Sequence, residues 1–435
     1  MSKINYRKRL FVILVLCSSA FSLFAQSGAS GSYSPYTVFG IGDIYKEGTS
    51  YNKGMGSVGI AGRDRRYLNY INPGAVTARD TLSFMMDFSV YSQNKIFRQG
   101  DMKSANNTFN IGNIAISFPI YKKSAMVLGI TPYSNVGYNF SHYTIDSKFG
   151  VANHTSAGTG GLYQLFGGGA VTLWKNLSIG AQAIYYFGNI EKETKMDFAT
   201  PSYRDISNGY ALQLEGFAGK LGVQYEIPIK DVYMILGATY RTGSGIRGYV
   251  KDYRYAVLSS ITDTLSNRVD TLSKSRKLRM ASEVGLGISI RKPEKWSFEL
   301  NYLFSDWRGS GFDTAPGFAN SGVAKFSTTF SQSLRAGFEY IPNRNDIRYY
   351  LRRCAYRVGA YYDKSYYKLD GNTINSYGLT LGATFPIFRF YNGLSFGLDL
   401  GQRGSMLGTM TRERYVSFSV GFNIHDIWFV KKRYE

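Results

Sequence analysis

The second half of the chain alternates between apolar residues and small or polar residues with a period of two. Near the C-terminus, Leu394, Phe396 and Leu398 are separated by serine and glycine, and Val416 and Phe418 are separated by serine. Successive side chains of a β-strand point to opposite faces of the sheet. Each such segment is therefore predicted to be a strand with one apolar face and one small or polar face.

The composition of these faces favours a membrane barrel over a water-soluble sandwich. The chain contains 48 Gly, 36 Tyr and 29 Phe, with glycine and serine on the polar faces and aromatic residues at the ends of many apolar faces. Small residues suit a crowded barrel lumen, and aromatic residues suit the two membrane interfaces. A sandwich would bury its apolar faces against each other and leave the polar faces in water. We therefore expect an all-β, antiparallel transmembrane barrel.

Fourteen segments carry the pattern, and an even number places both chain ends on one side of a closed barrel. Most connections after even-numbered strands are short, whereas those after the third, fifth, seventh and ninth are long, the longest being residues 251–276. Barrels have short periplasmic turns and longer outer loops, so this alternation supports the assignment. The predicted strands lie near residues 82–97, 107–119, 124–141, 159–174, 177–190, 208–226, 231–250, 277–291, 295–307, 328–341, 353–366, 374–387, 393–403 and 414–424.

Two irregularities interrupt this regular plan. The sixth strand changes parity around Gly216 to Gly219, which predicts a bulge. The connection after the tenth strand, residues 342–352, is long although it follows an even-numbered strand, and we expect it to hold a small helical turn.

The first 25 residues have the pattern of a secretory signal peptide. Basic residues at 7–9 precede an apolar run from Leu10 to Phe24, and Ala25 is a suitable cleavage point. The run is short for a retained membrane anchor, and the bulky Leu16 disfavours lipid attachment at Cys17. Export would leave Cys354 as the single cysteine, which excludes an intramolecular disulfide.

The formal net charge of +21 is spread among tyrosine and glycine rather than clustered in basic arms. For an exported chain, this distribution favours contact with outer-membrane lipid and with the phosphates of lipopolysaccharide, and we expect no nucleic-acid partner. Nothing in the sequence identifies a protein partner.

Residues 26–80 do not alternate and are predicted to form a compact, turn-rich segment. They contain closely spaced glycines from Gly54 to Gly62, followed by Asn72-Pro73. The glycines do not form a phosphate-binding loop, because no strand-to-helix context surrounds them. We therefore expect three regions: a signal peptide at 1–25, this segment at 26–80, and the barrel at 81–435.

These residues resemble the FadL-type family of outer-membrane transport proteins for hydrophobic compounds. Gly54-Met55-Gly56 through Gly62 and Asn72-Pro73 match the family pattern, although Gly74 stands where alanine is usual. The opening Tyr36 to Asp43 and the tail Trp428 to Lys432 resemble a Bacteroidota-type branch of such barrels. The resemblance covers the whole chain in layout and about twenty residues in motif. It implies a 14-stranded barrel whose N-terminal segment is a hatch, or plug, in the lumen.

In the FadL-type family a kinked third strand opens a lateral gap through which an apolar molecule passes into the membrane. Here the third predicted strand contains Pro132, and proline cannot donate to a β-ladder. The candidate kink comprises Gly129, Pro132, Tyr133 and Asn135. The alternative is an ordinary bulge beyond the bilayer.

Candidate solute-binding residues of the hatch are Tyr36, Phe39, Asn72 and Pro73. With Tyr45, the first two form either an apolar pocket or part of the core, and core packing is the more common role of such residues.

Charged residues on the predicted luminal faces are expected to pair with each other or with the N-terminal segment, because unpaired charges in a confined interior are costly. The alternative is a selectivity lining for a polar solute. These residues are Glu283, Glu299, Glu339, Asp363 and Asp399 with Arg335 and Arg357.

Little in the chain indicates catalysis. Its 3 histidines are few for a metal or triad site, and His142 with Asp146 is the one close pairing. We predict no enzyme activity, no cofactor and no metal.

Passive transport of a hydrophobic or amphipathic small molecule through a hatch and a lateral opening is the expected function. The alternative is a structural or interaction barrel, such as a scaffold subunit of a secretion machine. A barrel-embedded hydrolase is a remote third possibility.

Overall fold

The computed structural model describes residues 32–80, 82–121, 123–148, 150–174, 176–200, 202–258, 261–272, 278–319, 324–387, 392–408 and 410–428. The predicted signal peptide and most of the tail from Trp428 to Lys432 lie outside these residues. Among the described residues, no helix is both long and apolar enough to cross a bilayer.

Fourteen antiparallel strands form a closed barrel, as predicted. Closure is made by the first and last strands, which pair from Ser83 opposite Ile427 to Arg98 opposite Arg412. The strands are β1 Ser83–Gln99, β2 Met102–Tyr121, β3 Ser124–Asp146, β4 Gly150–Leu173, β5 Leu177–Phe198, β6 Asp205–Ile229, β7 in two pieces Val232–Arg241 and Ser244–Leu258, β8 in three pieces Ile261–Thr271, Arg279–Met280 and Glu283–Lys292, β9 Trp296–Asp306, β10 in two pieces Phe326–Thr328 and Phe330–Tyr340, β11 Ala355–Leu369, β12 Asn372–Pro386, β13 Gly393–Arg403 and β14 Arg412–Ile427.

The apolar faces of the strands point outward, the reverse of a water-soluble protein. On β12, Leu379 and Leu381 expose 60% and 50% of their surface, whereas Thr380 between them is buried. On β14, Phe418 is exposed and Ser419 is buried. This arrangement suits a wall that faces hydrocarbon and encloses a polar lumen.

The predicted long loop at residues 251–276 is wrong over most of its length. The outer piece of β7 extends to Leu258 and pairs with the first piece of β8, which begins at Ile261. These residues are mostly polar or charged because they extend beyond the hydrocarbon, so they lack the alternation that marks the other strands.

Both predicted irregularities are confirmed. β6 pairs with the outer piece of β7 up to Gly216 and with the inner piece from Lys220 onward, so the ladder breaks where the parity changes. The connection between β10 and β11 contains a short 3-10 helix at Tyr350–Arg353.

Residues 307–319, predicted as part of an outer loop, turn into the barrel and become core. Trp307, Phe312 and Phe318 are almost completely buried. The Phe318 carbonyl accepts a 2.8 Å hydrogen bond from the Gly40 amide, which ties this inward loop to the N-terminal segment.

Residues 32–80, which we call the luminal segment, lie inside the ring of strands. The segment contains one α-helix, α1, at Ser50–Lys53 and two 3-10 helices, at Pro35–Val38 and Pro73–Thr77. Its contacts reach opposite sides of the wall: the Ser34 hydroxyl donates to Glu413 of β14, and Glu47 pairs with Lys220 of β6.

Glycine allows the luminal segment to touch the wall backbone to backbone. A Cβ atom placed on Gly382 of β12 would lie 2.8 Å from the Cα atom of Gly54, which follows α1. No flexible side chain can move aside there, so the two glycines set how closely α1 approaches the wall.

We expect Gly382→Ala to destabilise the folded barrel by about 1–3 kcal/mol, because the added methyl group must displace the luminal backbone. The matched control is Gly245→Ala on β7, where a new Cβ would meet no atom within 4 Å. Urea unfolding in detergent measures both free energies. Equal midpoints for the two variants would contradict this account of the contact.

Candidate lateral opening and luminal cavity

The hydrogen-bonded pairing of β2 with β3 ends partway along the two strands. Their pairing runs from Ser124 opposite Tyr121 to Ile130 opposite Ile114 and goes no further within residues 102–121 and 124–146, all of which the structure describes. Above this point β2 remains paired with β1, and β3 remains paired with β4. The ladder between β2 and β3 is therefore interrupted in the upper part of the wall, and we call this interruption the gap.

β3 bends into the lumen beside this gap. A wall strand exposes every second side chain, but none of the residues from Thr131 to Tyr138 is exposed, and Ser134 and Val136 are completely buried. The register of β3 against β4 also shifts between Pro132 and Ser134. Burial of both faces together with the register shift means that this stretch has left the plane of the wall.

The luminal segment occupies the edge of β3 that β2 has left. Asp43 and Ile44 pair antiparallel with Asn135 and Ser134. Backbone groups at membrane depth must find partners, so the segment replaces β2 as the neighbour of β3.

Further hydrogen bonds extend this edge contact in both directions. The Tyr45 amide donates to the Tyr133 carbonyl at 2.8 Å, and the Ser34 amide donates to the Gly137 carbonyl at 2.7 Å. The contact therefore covers the bent part of β3.

The four residues predicted at the kink lie together where the wall parts. Gly129 is opposite Ala115, next to the last β2–β3 pair, and Pro132 and Tyr133 lie at the register shift. The Asn135 side-chain amide lies 3.5 Å from the Tyr91 hydroxyl of β1.

Tyr36 and Phe39 are buried in the core above the cavity. The Tyr36 hydroxyl donates to the Thr411 carbonyl at 2.6 Å, and the Phe39 ring stacks on Phe326 at 5.4 Å between centroids. Tyr45 does not join them and instead lies 5.4 Å from the Tyr91 ring at the gap.

Asn72 and Pro73 join the luminal segment to the wall and lie away from the cavity. The Asn72 side-chain amide donates to the Ile60 carbonyl at 2.7 Å and to the Val223 carbonyl of β6 at 3.1 Å. A Cβ on Gly222 would lie 2.1 Å from the side-chain Oδ1 atom of Asn72, so glycine is required opposite this side chain. The geometry of both residues indicates an anchoring role.

A cavity of about 320 Å³ separates the luminal segment from part of the wall. It reaches Tyr91 and Asn135 at the lateral gap, and its charged lining comprises six carboxylates and eight cationic side chains. The excess of cations suits a solute with an anionic group. The charged lining residues are Asp43, Lys46, Glu47, Lys53, Lys95, Lys220, Arg241, Glu283, Arg335, Asp363, Lys364, Asp399, Arg403 and Glu413.

Most charges around the cavity are paired, as the sequence predicted. Glu47 lies 2.6 Å from Lys220 and 2.8 Å from Arg241. Burial raises the pKa of Glu47, but the two cations outweigh that effect and bring the carboxyl pKa to about 2. Asp363 pairs with Lys46 of the luminal segment at 3.1 Å.

A second, largely buried cluster lies toward the periplasmic end. Glu339 of β10 pairs with Arg66 of the luminal segment and, at 2.8 Å, with Arg357 of β11. Arg66 also binds Asp64 at 2.6 Å. These ion pairs link the luminal segment to two neighbouring strands.

Lys53 and Lys364 are cavity cations with no carboxylate of the described residues within ion-pair distance, and of the two Lys53 is the one that lies at the gap. Its Nζ atom donates to the Tyr45 hydroxyl and lies 4.6 Å and 4.7 Å from the ring centres of Tyr45 and Tyr91. The Nζ atom also faces Gly112, where β2 leaves β3. Burial lowers the pKa of Lys53 to about 7.

The histidines do not form the pairing considered from the sequence. His142 of β3 stacks on His154 of β4 at 4.8 Å between ring centroids. Asp146 lies four residues further along β3. No group of metal-binding side chains is present among the described residues. The described residues also contain no histidine placed with an acid and a nucleophile as a catalytic triad would require.

Solved structures share this architecture at low sequence identity. The toluene transporter TbuX of Ralstonia pickettii is 15% identical with a TM-score of 0.59, covering 87% of this chain and 98% of its own. The toluene transporter TodX of Pseudomonas putida is 12% identical with a TM-score of 0.60, covering 91% and 100%. A FadL homologue of Pseudomonas aeruginosa is 11% identical with a TM-score of 0.59, covering 88% and 99%.

These matches confirm the predicted FadL-type fold, which is that of outer-membrane proteins. Comparison with curated proteins gives no significant match. A family model described as BamG matches residues 7–435, and the chain therefore belongs to the BamG family.

Proposed function

We propose that the chain passively conducts amphipathic small molecules between the luminal cavity and the membrane, through the gap between β2 and β3. The observation that carries this proposal is the inward bend of β3 from Thr131 to Tyr138 beside a cavity that reaches the gap. Transport of toluene by TbuX and TodX supports passage of an apolar group in this fold.

The charged cavity favours an amphiphile over a pure hydrocarbon. A hydrocarbon would have to displace water from many charged side chains without replacing any hydrogen bond, which is unfavourable. An anionic head group would instead meet the cationic excess and Lys53, while its apolar tail leaves through the gap. We expect the solute to carry a carboxylate or a similar anion.

The luminal segment acts as the hatch in this proposal. Residues 43–45 hold the bent part of β3 through a few backbone hydrogen bonds, which a small displacement would break. The ion pairs of Arg66 and the contact at Gly54 keep the rest of the segment against the wall. Movement restricted to residues 43–45 would widen the gap without expelling the segment or moving the buried Tyr36 and Phe39.

Uptake by cells lacking the protein, complemented with variants, tests the proposal. We expect Pro132→Val to lower uptake of a carboxylate amphiphile several-fold, because valine supplies an amide hydrogen and favours regular pairing, which narrows the gap. The matched control, Pro228→Val, lies in β6 opposite Tyr233, within a regular ladder. Uptake that is the same with and without the protein would overturn the proposal.

A structural or interaction barrel is the second candidate. The observation favouring it is the fixation of the luminal segment by ion pairs and glycine contacts on several strands. A protein partner that copurifies at a fixed ratio, together with unchanged uptake, would favour this function. Lipid-like density in the cavity would favour transport.

A further inference from the structure

The connection between β10 and β11 is a basic and aromatic projection at the end of the barrel where both chain ends lie. Residues 341–354 separate Tyr340 from Ala355, whereas the other connections at this end are at most six residues long. Short turns are the rule on the periplasmic side of outer-membrane barrels, so an extended connection there needs a separate explanation.

Apolar side chains of this connection project away from the protein. Ile347 is 99% exposed and Leu351 is 63% exposed. Burying such side chains contributes roughly 1.5–3 kcal/mol each, so full exposure leaves that stabilisation unused. The two side chains therefore form an apolar tip that contact with another molecule could bury.

Cationic side chains surround these apolar groups. Between residues 342 and 353 the chain has four arginines against one acid, Asp346. Asp346 holds the turn by accepting hydrogen bonds from the Arg348 and Tyr349 amides at 2.9 Å and 2.7 Å. The Arg352 guanidinium lies 4.7 Å from the Tyr349 ring centre. The projection therefore presents positive charge and aromatic rings around an apolar tip.

Hydrogen bonds fix the projection against the lipid-facing side of the wall. Tyr356 of β11 points outward, because its neighbour Arg357 points into the lumen and is buried. The Tyr356 hydroxyl donates to the Leu351 carbonyl at 2.9 Å, and the Tyr350 hydroxyl donates to the Pro386 carbonyl at 2.8 Å. Leu351 is thus held beside the outward-facing side chain of Tyr356, near the start of β11.

We infer that this connection is a binding site for anionic phospholipid of the periplasmic leaflet. Ile347 and Leu351 enter the boundary of the acyl chains, and the arginines contact the head-group phosphates. Tyrosine and arginine at this depth are typical of interfacial anchors. A protein partner would also use arginine and tyrosine, but the position on the lipid-facing rim favours lipid. The inference does not depend on the proposed transport function.

Spin-label accessibility tests the site in reconstituted vesicles. A nitroxide is attached at Ile347→Cys in a Cys17→Ser/Cys354→Ser background, and a control label at Asn372→Cys lies at the opposite end of the barrel. In vesicles containing phosphatidylglycerol we expect the label at 347 to be several-fold more accessible to oxygen, relative to an aqueous nickel complex, than the control label. Vesicles of phosphatidylcholine alone should weaken this difference.

The triple variant Arg348→Gln, Arg352→Gln, Arg353→Gln should remove the preference for phosphatidylglycerol while the barrel remains folded, as judged by circular dichroism. A label at 347 that stays in water in both lipids would overturn the inference. Immobilisation of that label only in native outer-membrane fragments would also overturn it, in favour of a protein partner. Uptake of solute should be unchanged in the triple variant, which separates this test from that of the transport function.

Discussion

Glu339→Gln is expected to destabilise the folded protein by about 3–5 kcal/mol, the largest effect of any single substitution considered. Glu339 lies between Arg66 and Arg357, whose side chains are 5% and 0% exposed. Glutamine keeps the shape of the side chain but removes the negative charge that both guanidinium groups share. Arg66 retains Asp64, whereas Arg357 retains uncharged partners, Tyr67 and Thr384, within the described part of the chain.

Two measurements follow the loss of Glu339. Urea unfolding in detergent gives the change in free energy, and limited trypsin digestion shows whether the chain near Arg66 becomes accessible from the periplasmic side. The matched control is Asp306→Asn, which breaks an exposed pair with Arg308 and should cost less than about 1 kcal/mol. Equal stability of the two variants would show that the luminal segment is not held by this cluster.

Lys53→Met is expected to lower uptake of a carboxylate amphiphile about tenfold, which corresponds to the roughly 1.4 kcal/mol of one charge-assisted hydrogen bond. Lys53 lines the cavity at the foot of the gap without a carboxylate partner among the described residues. Methionine keeps the length of the side chain. The control Lys364→Met removes another cavity cation, which lies 4.1 Å from the Phe330 ring centre, and should have little effect.

The pH dependence of uptake provides a second readout on Lys53. Its pKa is lowered to about 7 by burial, so the ammonium form is present below pH 7 and is lost as the pH rises. Uptake of the carboxylate amphiphile by the wild-type protein should therefore be higher at pH 6 than at pH 8. Lys53→Met should remove this difference, and an uncharged amphiphile should not show it. A Lys53→Met variant with the wild-type pH profile would exclude this role.

The barrel was predictable because the same requirement, an apolar outer face, applies to every strand of the wall. Each strand crosses hydrocarbon, so residues such as Leu379 and Phe418 recur with a period of two, and the pattern reports both the strand and its outward face. The same reasoning missed the hairpin that joins β7 and β8, where residues outside the hydrocarbon are free of that constraint.

The candidate site was only partly predictable. Pro132 marked the place where the wall parts, because a missing amide hydrogen has a local structural meaning. Lys53 and the inward loop at Trp307 were missed, because their roles arise from contacts between residues far apart in the chain. The residues next to Lys53 in the sequence do not indicate that its side chain will face the gap.

Cysteine cross-linking in intact cells tests the lateral gap most directly. In a Cys354→Ser background, Ile116→Cys with Leu128→Cys places two cysteines opposite each other in the paired part of β2 and β3, and we expect them to form a disulfide. Phe109→Cys combined with Asn135→Cys or with Val136→Cys covers both registers of a continued ladder, and we expect no disulfide in either. Efficient cross-linking of either Phe109 pair would mean that the wall is closed.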